Sequence, residues 1–123
     1  MSHRILIADD EPNIVVSLKY LLERAGYQVL VARDGQEAID TIRRERPALV
    51  LLDVMMPKKS GHDVCAELRA DDALRDTLVL MLSAKGRDTD IDKGLGVGAD
   101  AYVTKPFSTR ELAARVAELL AGR

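Results

Sequence analysis

An α/β fold, with one parallel sheet covered by helices on both faces, is the class that this sequence predicts. Short apolar runs of four or five residues alternate along the chain with segments of helical periodicity, the pattern of successive βαβ units. The runs Leu49–Leu52 and Leu78–Leu82 carry no polar interruption, as expected of parallel strands buried on both faces. Four of the runs also end on polar residues, as strands do when their carboxyl ends open onto a binding crevice. The 123 residues suit a single domain, spanning 1–123, with enough length to bury a continuous core.

Five strands and five helices are expected. The first strand is Ile5–Ala8, and the helix after it follows Pro12, a residue suited to a first helical turn. That helix carries Ile14, Val15, Leu18, Leu21 and Leu22 on one stripe and ends before Gly26. The second strand is Gln28–Ala32; Asp34 then caps a helix through Ala38, Ile39 and Ile42 that stops before Pro47. The third strand runs into Asp53, and Pro57, Ser60 and Gly61 mark the next stretch as a loop. A third helix follows with Val64, Cys65 and Leu68, and strand four is Leu78–Leu82. Strands three and four should be central. The fourth helix is the weakest, because Gly94, Gly96 and Gly98 cluster around its only apolar residues, Ile91, Leu95 and Val97, and each interior Gly costs about 1 kcal/mol relative to Ala. The fifth strand is Ala101–Thr104. The last helix, capped by Ser108 or Thr109, places Leu112, Val116, Leu119 and Leu120 on one face.

Composition narrows the function. The net charge is -2 with acids and bases interspersed, so no basic stripe is available for counterion release and direct nucleic-acid binding is disfavoured. The single Cys65 has no intramolecular disulfide partner and no signal-like segment precedes the first strand, which points to a reducing cytoplasm. No apolar stretch approaches the roughly 18 to 20 residues of a membrane-spanning helix.

If the four runs are neighbouring parallel strands, Asp9, Asp10, Asp53, Ser83 and Lys105 share one crevice. Adjacent carboxylates repel, so Asp9 and Asp10 call for a cation there, and hard oxygen ligands select magnesium or calcium. Magnesium takes one or two carboxylates and leaves room for phosphate oxygens, which suits phosphoryl transfer. Taken alone, the pair would equally well cap the first helix. Asp53 alone reads as a turn residue, but a carboxylate can also attack phosphorus when a metal and a fixed cation neutralise the incoming charge. Lys105, directly after an apolar strand, supplies that cation, and Pro106 would fix the backbone beside it, a cis bond being one way. Ser83 could donate to a phosphoryl oxygen or merely bond nearby backbone. His62 and Cys65 stand three apart on a helix, but with no further ligands near them a zinc site is rejected; Cys65 reads as core and His62 as surface. The glycines from Gly94 to Gly98 do not follow a strand and make no nucleotide loop.

The ordered set Asp9-Asp10-Glu11, Leu51-Leu52-Asp53-Val54-Met55-Met56-Pro57 with Gly61, Ser83-Ala84, Gly98-Ala99-Asp100 and Lys105-Pro106-Phe107 resembles the CheY-like receiver domains of bacterial response regulators. The resemblance covers essentially the whole chain and implies the flavodoxin-like (βα)5 three-layer sandwich with a five-stranded parallel sheet. It further implies that Asp53 is the phosphoacceptor, charged by a histidine kinase or histidine phosphotransfer protein. Mg2+ would be held by Asp10, Asp53 and the backbone carbonyl of Met55, with Asp9 acting through a water. Lys105 would pair with the phosphoryl group, and Ser83 would move toward it and let Tyr102 swing inward as an aromatic switch; a core tyrosine with a satisfied hydroxyl is the alternative for Tyr102. The added charge, about one unit, would bias the face formed by the fourth helix, fifth strand and last helix toward a downstream protein or a fused effector domain.

By the same resemblance, Met55 and Lys85 occupy the positions that tune dephosphorylation, and neither orients an attacking water well, so a phosphoryl lifetime of minutes to hours is expected. The stretch from Thr104 to Ser108 with Glu111 and Leu112 looks like receivers that drive winged-helix domains. Those usually carry an acid where Ala101 stands and a base where Ile91 stands, so Glu111 and Arg115 lack their usual cross-dimer partners. Two other functions compete with a phosphorylation-gated switch. A phosphatase of the haloacid dehalogenase type needs an acid where Met55 stands. A receiver-like scaffold that is never phosphorylated typically lacks one of the acids or the lysine, all present here.

Overall fold

The structure, a computed structural model, describes residues 3–84 and 98–122. Its strands are β1 (Arg4–Ala8), β2 (Gln28–Ala32), β3 (Leu49–Asp53), β4 (Leu78–Ala84) and β5 (Ala101–Lys105). The helices among the described residues are α1 (Pro12–Arg24), α2 (Gly35–Glu45), α3 (Gly61–Ala70) and α4 (Thr109–Ala121). The fourth helix expected from the sequence, around Ile91 to Val97, lies outside the described residues, as does Lys85.

All five strands are parallel, in the order β2-β1-β3-β4-β5. This is the flavodoxin-like order, in which the chain winds one way from β1 to β2 and the other way from β3 onward, leaving a crevice at the carboxyl ends of β1 and β3. Successive strand residues face opposite sides of the sheet. Ile5, Ile7, Leu49, Leu51, Leu80 and Leu82 pack with Val15, Leu18 and Leu22 of α1 and Leu112, Val116 and Leu120 of α4. Their neighbours Leu6, Ala8, Val50, Leu52, Val79 and Met81 pack with Ala38, Ile39 and Ile42 of α2 and Val64, Cys65 and Leu68 of α3. Two cores on one sheet explain why β1, β3 and β4 read as unbroken apolar runs. β3 lies at the centre, and β1 is interior alongside β4, because Ile5–Ala8 are buried on both faces.

Local signals set the helix starts. Asp34 Oδ1 accepts from Glu37 N at 2.8 Å, a cap that also lowers the Asp34 pKa, and Ser60 and Asp63 form a reciprocal capping box on α3. Ser108, rather than Thr109, caps α4. The N-cap of α1 is Glu11, whose side chain makes no capping bond; Asp9 Oδ1 accepts from the Glu11 N–H at 2.9 Å just ahead of the helix, while Asp9 Oδ2 faces Lys105. β4 runs two residues past the expected end, because Ser83 and Ala84 pair with Thr104 and Lys105. At the far end of α3, the Arg69 guanidinium donates to Gly98 O, Arg75 O, Thr77 O and Asp100 Oδ2 at 2.7–2.9 Å, tying α3 to the start of β5. Among the described residues, no helix is long and apolar enough to cross a membrane.

Candidate functional site

The strand register decides which polar groups meet. Asp9 and Asp10 follow the last residue of β1, Asp53 is the last residue of β3, Ser83 the penultimate residue of β4 and Lys105 the last of β5. Parallel pairing stacks these ends in one row, so five groups far apart in sequence open onto one crevice. The Lys105 ammonium donates to Asp9 Oδ2 and to Glu11 Oε1, each at 3.0 Å, and lies 3.5 Å from Asp53 Oδ1. Asp9 is fully buried and Asp53 nearly so, while Asp10 is exposed at the rim.

Asp53 is held by the loop that it begins. Met55 N–H donates to Asp53 Oδ1 at 3.3 Å, and Val54 N–H donates to Leu82 O at 3.1 Å, anchoring that loop to β4. The loop closes onto α3 at Gly61, whose N–H donates to Val54 O at 3.0 Å. A Cβ on Gly61 would lie 2.5 Å from Asp53 O, so only glycine permits this approach.

Electrostatics make the crevice a demanding place for anions without a counter-ion. Burial, and then the Asp9 carboxylate, push the Asp53 pKa from 3.8 to about 6, against the pull of Lys105 and the Met55 N–H. For Lys105, burial acts to lower the pKa, but hydrogen bonds to Glu11 and Asp9 outweigh it and the net shift is upward. One carboxylate oxygen each from Asp9, Asp10 and Asp53 can be chosen so that all three lie within 4.8 Å of one another. Three hard, convergent oxygens beside a fixed cation match the donor chemistry of a magnesium-class ion with open positions.

The structure thus gathers Asp9, Asp10, Asp53 and Lys105. Ser83, 1% exposed, sits beside them on β4, opposite Thr104. Met55 is at the mouth with its side chain largely exposed. Tyr102 is half-buried on the α3 side of the sheet, and its hydroxyl shares a 2.9 Å hydrogen bond with His62 Nε2. Two residues escaped the sequence reading. Glu11 joins the Lys105 network, a role that its place directly after the aspartate pair suggests. His62 is buried rather than on the surface, because it lies in the first turn of α3, where the helix presses against the sheet; no sequence signal marked it.

Residues 5–117 match the response regulator receiver domain. The chain belongs to the response regulator receiver family. It is 48% identical, over 98% of its length, to the alkaline phosphatase synthesis transcriptional regulatory protein PhoP of Bacillus subtilis, and spans about half (49%) of that relative. It superposes on a putative response regulator from Chloroflexus aurantiacus with a TM-score of 0.95 at 34% identity, covering 98% of this chain and 99% of that one. The signal receiver domain of a signal transduction histidine kinase from Syntrophus aciditrophicus gives a TM-score of 0.92 at 36% identity, covering 98% of this chain and 92% of that one. Receiver domains are signalling switches of two-component systems and bind Mg2+; Asp9, Asp10 and Asp53 form the acidic cluster that could hold the ion here.

Proposed function

We propose that this receiver accepts a phosphoryl group on Asp53 from a histidine kinase or histidine phosphotransfer protein and thereby switches a downstream protein or fused effector domain. The observation that carries this reading is the placement of Lys105 within 3.5 Å of both Asp9 and Asp53 at the convergent strand ends. An Asp53 carboxylate oxygen attacks phosphorus, the bond from phosphorus to the donor nitrogen breaks, and the departing imidazole of the donor histidine takes up a proton from solvent. Lys105 exchanges its carboxylate contacts for the phosphoryl oxygens and Ser83 donates its hydroxyl to the same group; the 3.0 Å contact of Lys105 with Asp9 and the burial of Ser83 support this reading. Mg2+, held by Asp10, Asp53 and the Met55 carbonyl with Asp9 acting through a water, would supply charge neutralisation at the transferring group.

In this reading Ser83 and Tyr102 carry the change to a surface that includes β5 and α4. Met55 and Lys85 set the lifetime of the phosphoryl group and give the domain a slow self-dephosphorylation. One receiver domain, residues 1–123, acts as a switch in the cytoplasm, where Cys65 remains a thiol, and makes no direct nucleic-acid contact of its own. The test is the intact mass after incubation with acetyl phosphate, with and without Mg2+, beside Asp53→Asn. A Mg2+-dependent gain of one phosphoryl group, absent from the variant, is expected. An equal gain in Asp53→Asn would move the acceptor elsewhere, and no gain with either acetyl phosphate or a phosphohistidine donor would leave a scaffold.

A further inference from the structure

We propose that His62 is a positioning residue that holds Tyr102 on the α3 side of the sheet before any phosphoryl group arrives, so that the aromatic part of the switch is preset by α3. The functional meaning rests on the reading of Tyr102 as a switch residue given above; the placement itself rests on geometry alone. His62 Nε2 and the Tyr102 hydroxyl are 2.9 Å apart, and the imidazole is 4% exposed. A part-buried hydrogen bond of this kind, with one partner removed from water, favours the conformer that makes it. Tyr102 stands opposite Met81 on β4 and packs on the core cluster that includes Met81, Val64 and Cys65.

The position of His62 is itself fixed by the functional loop. It directly follows Gly61, whose N–H bonds to Val54 O and whose missing side chain lets the helix start rest on the Asp53 carbonyl. The Ser60–Asp63 capping box then fixes the first turn of α3 around the imidazole. The His62–Tyr102 hydrogen bond therefore joins the helix start that rests on the Asp53 carbonyl to β5, three residues before Lys105. Phosphorylation would then act through Ser83 and Lys105 around a Tyr102 ring already in place, so that Tyr102 passes the change along β5 without a swing of its own.

The test is NMR of the full chain with ring-labelled tyrosine and histidine, recorded without a phosphoryl group and again with Mg2+ and beryllofluoride. In the wild-type protein, the Tyr102 ring signals are expected to report one inward conformer under both conditions. In His62→Phe, the inward-to-outward ratio should fall by roughly three- to tenfold without beryllofluoride, as loss of one net hydrogen bond implies, and rise again when it is added. In Tyr102→Phe, the His62 Nε2 resonance should shift. A wild-type ring that moves on adding beryllofluoride, a His62→Phe ring that stays where the wild type has it, or an unshifted His62 Nε2 in Tyr102→Phe would each overturn the proposal. A bond that served folding alone would leave the beryllofluoride response of Tyr102 the same in wild type and His62→Phe. Failure of the acceptor reading is seen separately, as absence of the phosphoryl mass gain, and leaves the comparison without beryllofluoride intact.

Discussion

Removing the charge at position 53 should stabilise the metal-free fold, by an amount set by pH. The Asp53 carboxyl titrates near 6 in the folded protein, against an ordinary value of 3.8, because ionising it in the crevice is opposed by burial and by Asp9. Between these values the folded chain holds a proton that the unfolded chain has released, so stability falls as pH rises through that window and is level above it. At about 1.4 kcal/mol per pH unit, the cost accumulated by neutral pH is about 3 kcal/mol. Asp53→Asn keeps the side-chain volume and escapes that cost, although Lys105 gives up its 3.5 Å contact with the carboxylate, so a net gain of about 1–3 kcal/mol is expected. For a chain of this length, 1 kcal/mol moves Tm by about 4 °C, so the variant should melt about 4–12 °C above the wild type at about pH 7.5 in a chelator. Near pH 4 the gain should shrink to under about 1 kcal/mol, since the wild-type carboxyl is then protonated when folded. Urea or thermal unfolding across that pH range checks both limbs. A variant no more stable than wild type near neutral pH, or a gain that persists undiminished in acid, would refute the electrostatic reasoning.

Mg2+ should raise the Tm of the wild-type protein in proportion to the logarithm of its concentration, on the order of 10 °C at about a hundredfold over its dissociation constant, and Asp10→Asn should blunt that rise in the same calorimetric titration. Arg69→Met should destabilise the fold by about 2–4 kcal/mol in urea unfolding, because it strips four acceptors of one guanidinium and, among the described residues, leaves Asp100 with the Val79 N–H. Substituting Met55 by Asn and Lys85 by Glu should shorten the phosphoryl lifetime by giving an attacking water hydrogen-bonding partners, read as the decay of phosphoprotein mass with time. If, as the sequence resemblance implies, Ala101 and Ile91 stand where an acid and a base usually pair across a dimer, the elution volume should not change on adding beryllofluoride; activation-dependent dimers would refute that reading.

The parts of the fold that sequence revealed are those governed by one local rule. Short apolar runs and one-turn helical spacing located the strands and the described helices, and Asp34 and Ser108 announced helix starts through side-chain caps. Strand order, by contrast, is a property of pairing between distant segments. An apolar run tells that a strand is covered on both faces, and β1, β3 and β4 share that trait, so periodicity alone left unsaid which of them is the middle one. The end of β4 was misplaced for a related reason: Ser83 is polar, and its strand conformation is imposed by Thr104 across the sheet.

The site followed the same division. Asp9, Asp10, Asp53 and Lys105 were legible because each ends a strand or directly follows an apolar run, and parallel strands bring their carboxyl ends together whatever their order. Glu11 and His62 were not, because neither ends a strand; each acquires its contact from the helix that begins around it. Glu11 reaches Lys105 only because α1 starts at Pro12 and turns its N-cap side chain back over the crevice. His62 is buried only because Gly61 lets α3 sit against the Asp53 carbonyl. In both cases a helix N-terminus packed against the loops of the site converts an ordinary polar residue into part of the charge or hydrogen-bond network. The sheet therefore fixes which charges must meet, and the helix starts decide how those charges are held until a cation or a phosphoryl group takes over their contacts.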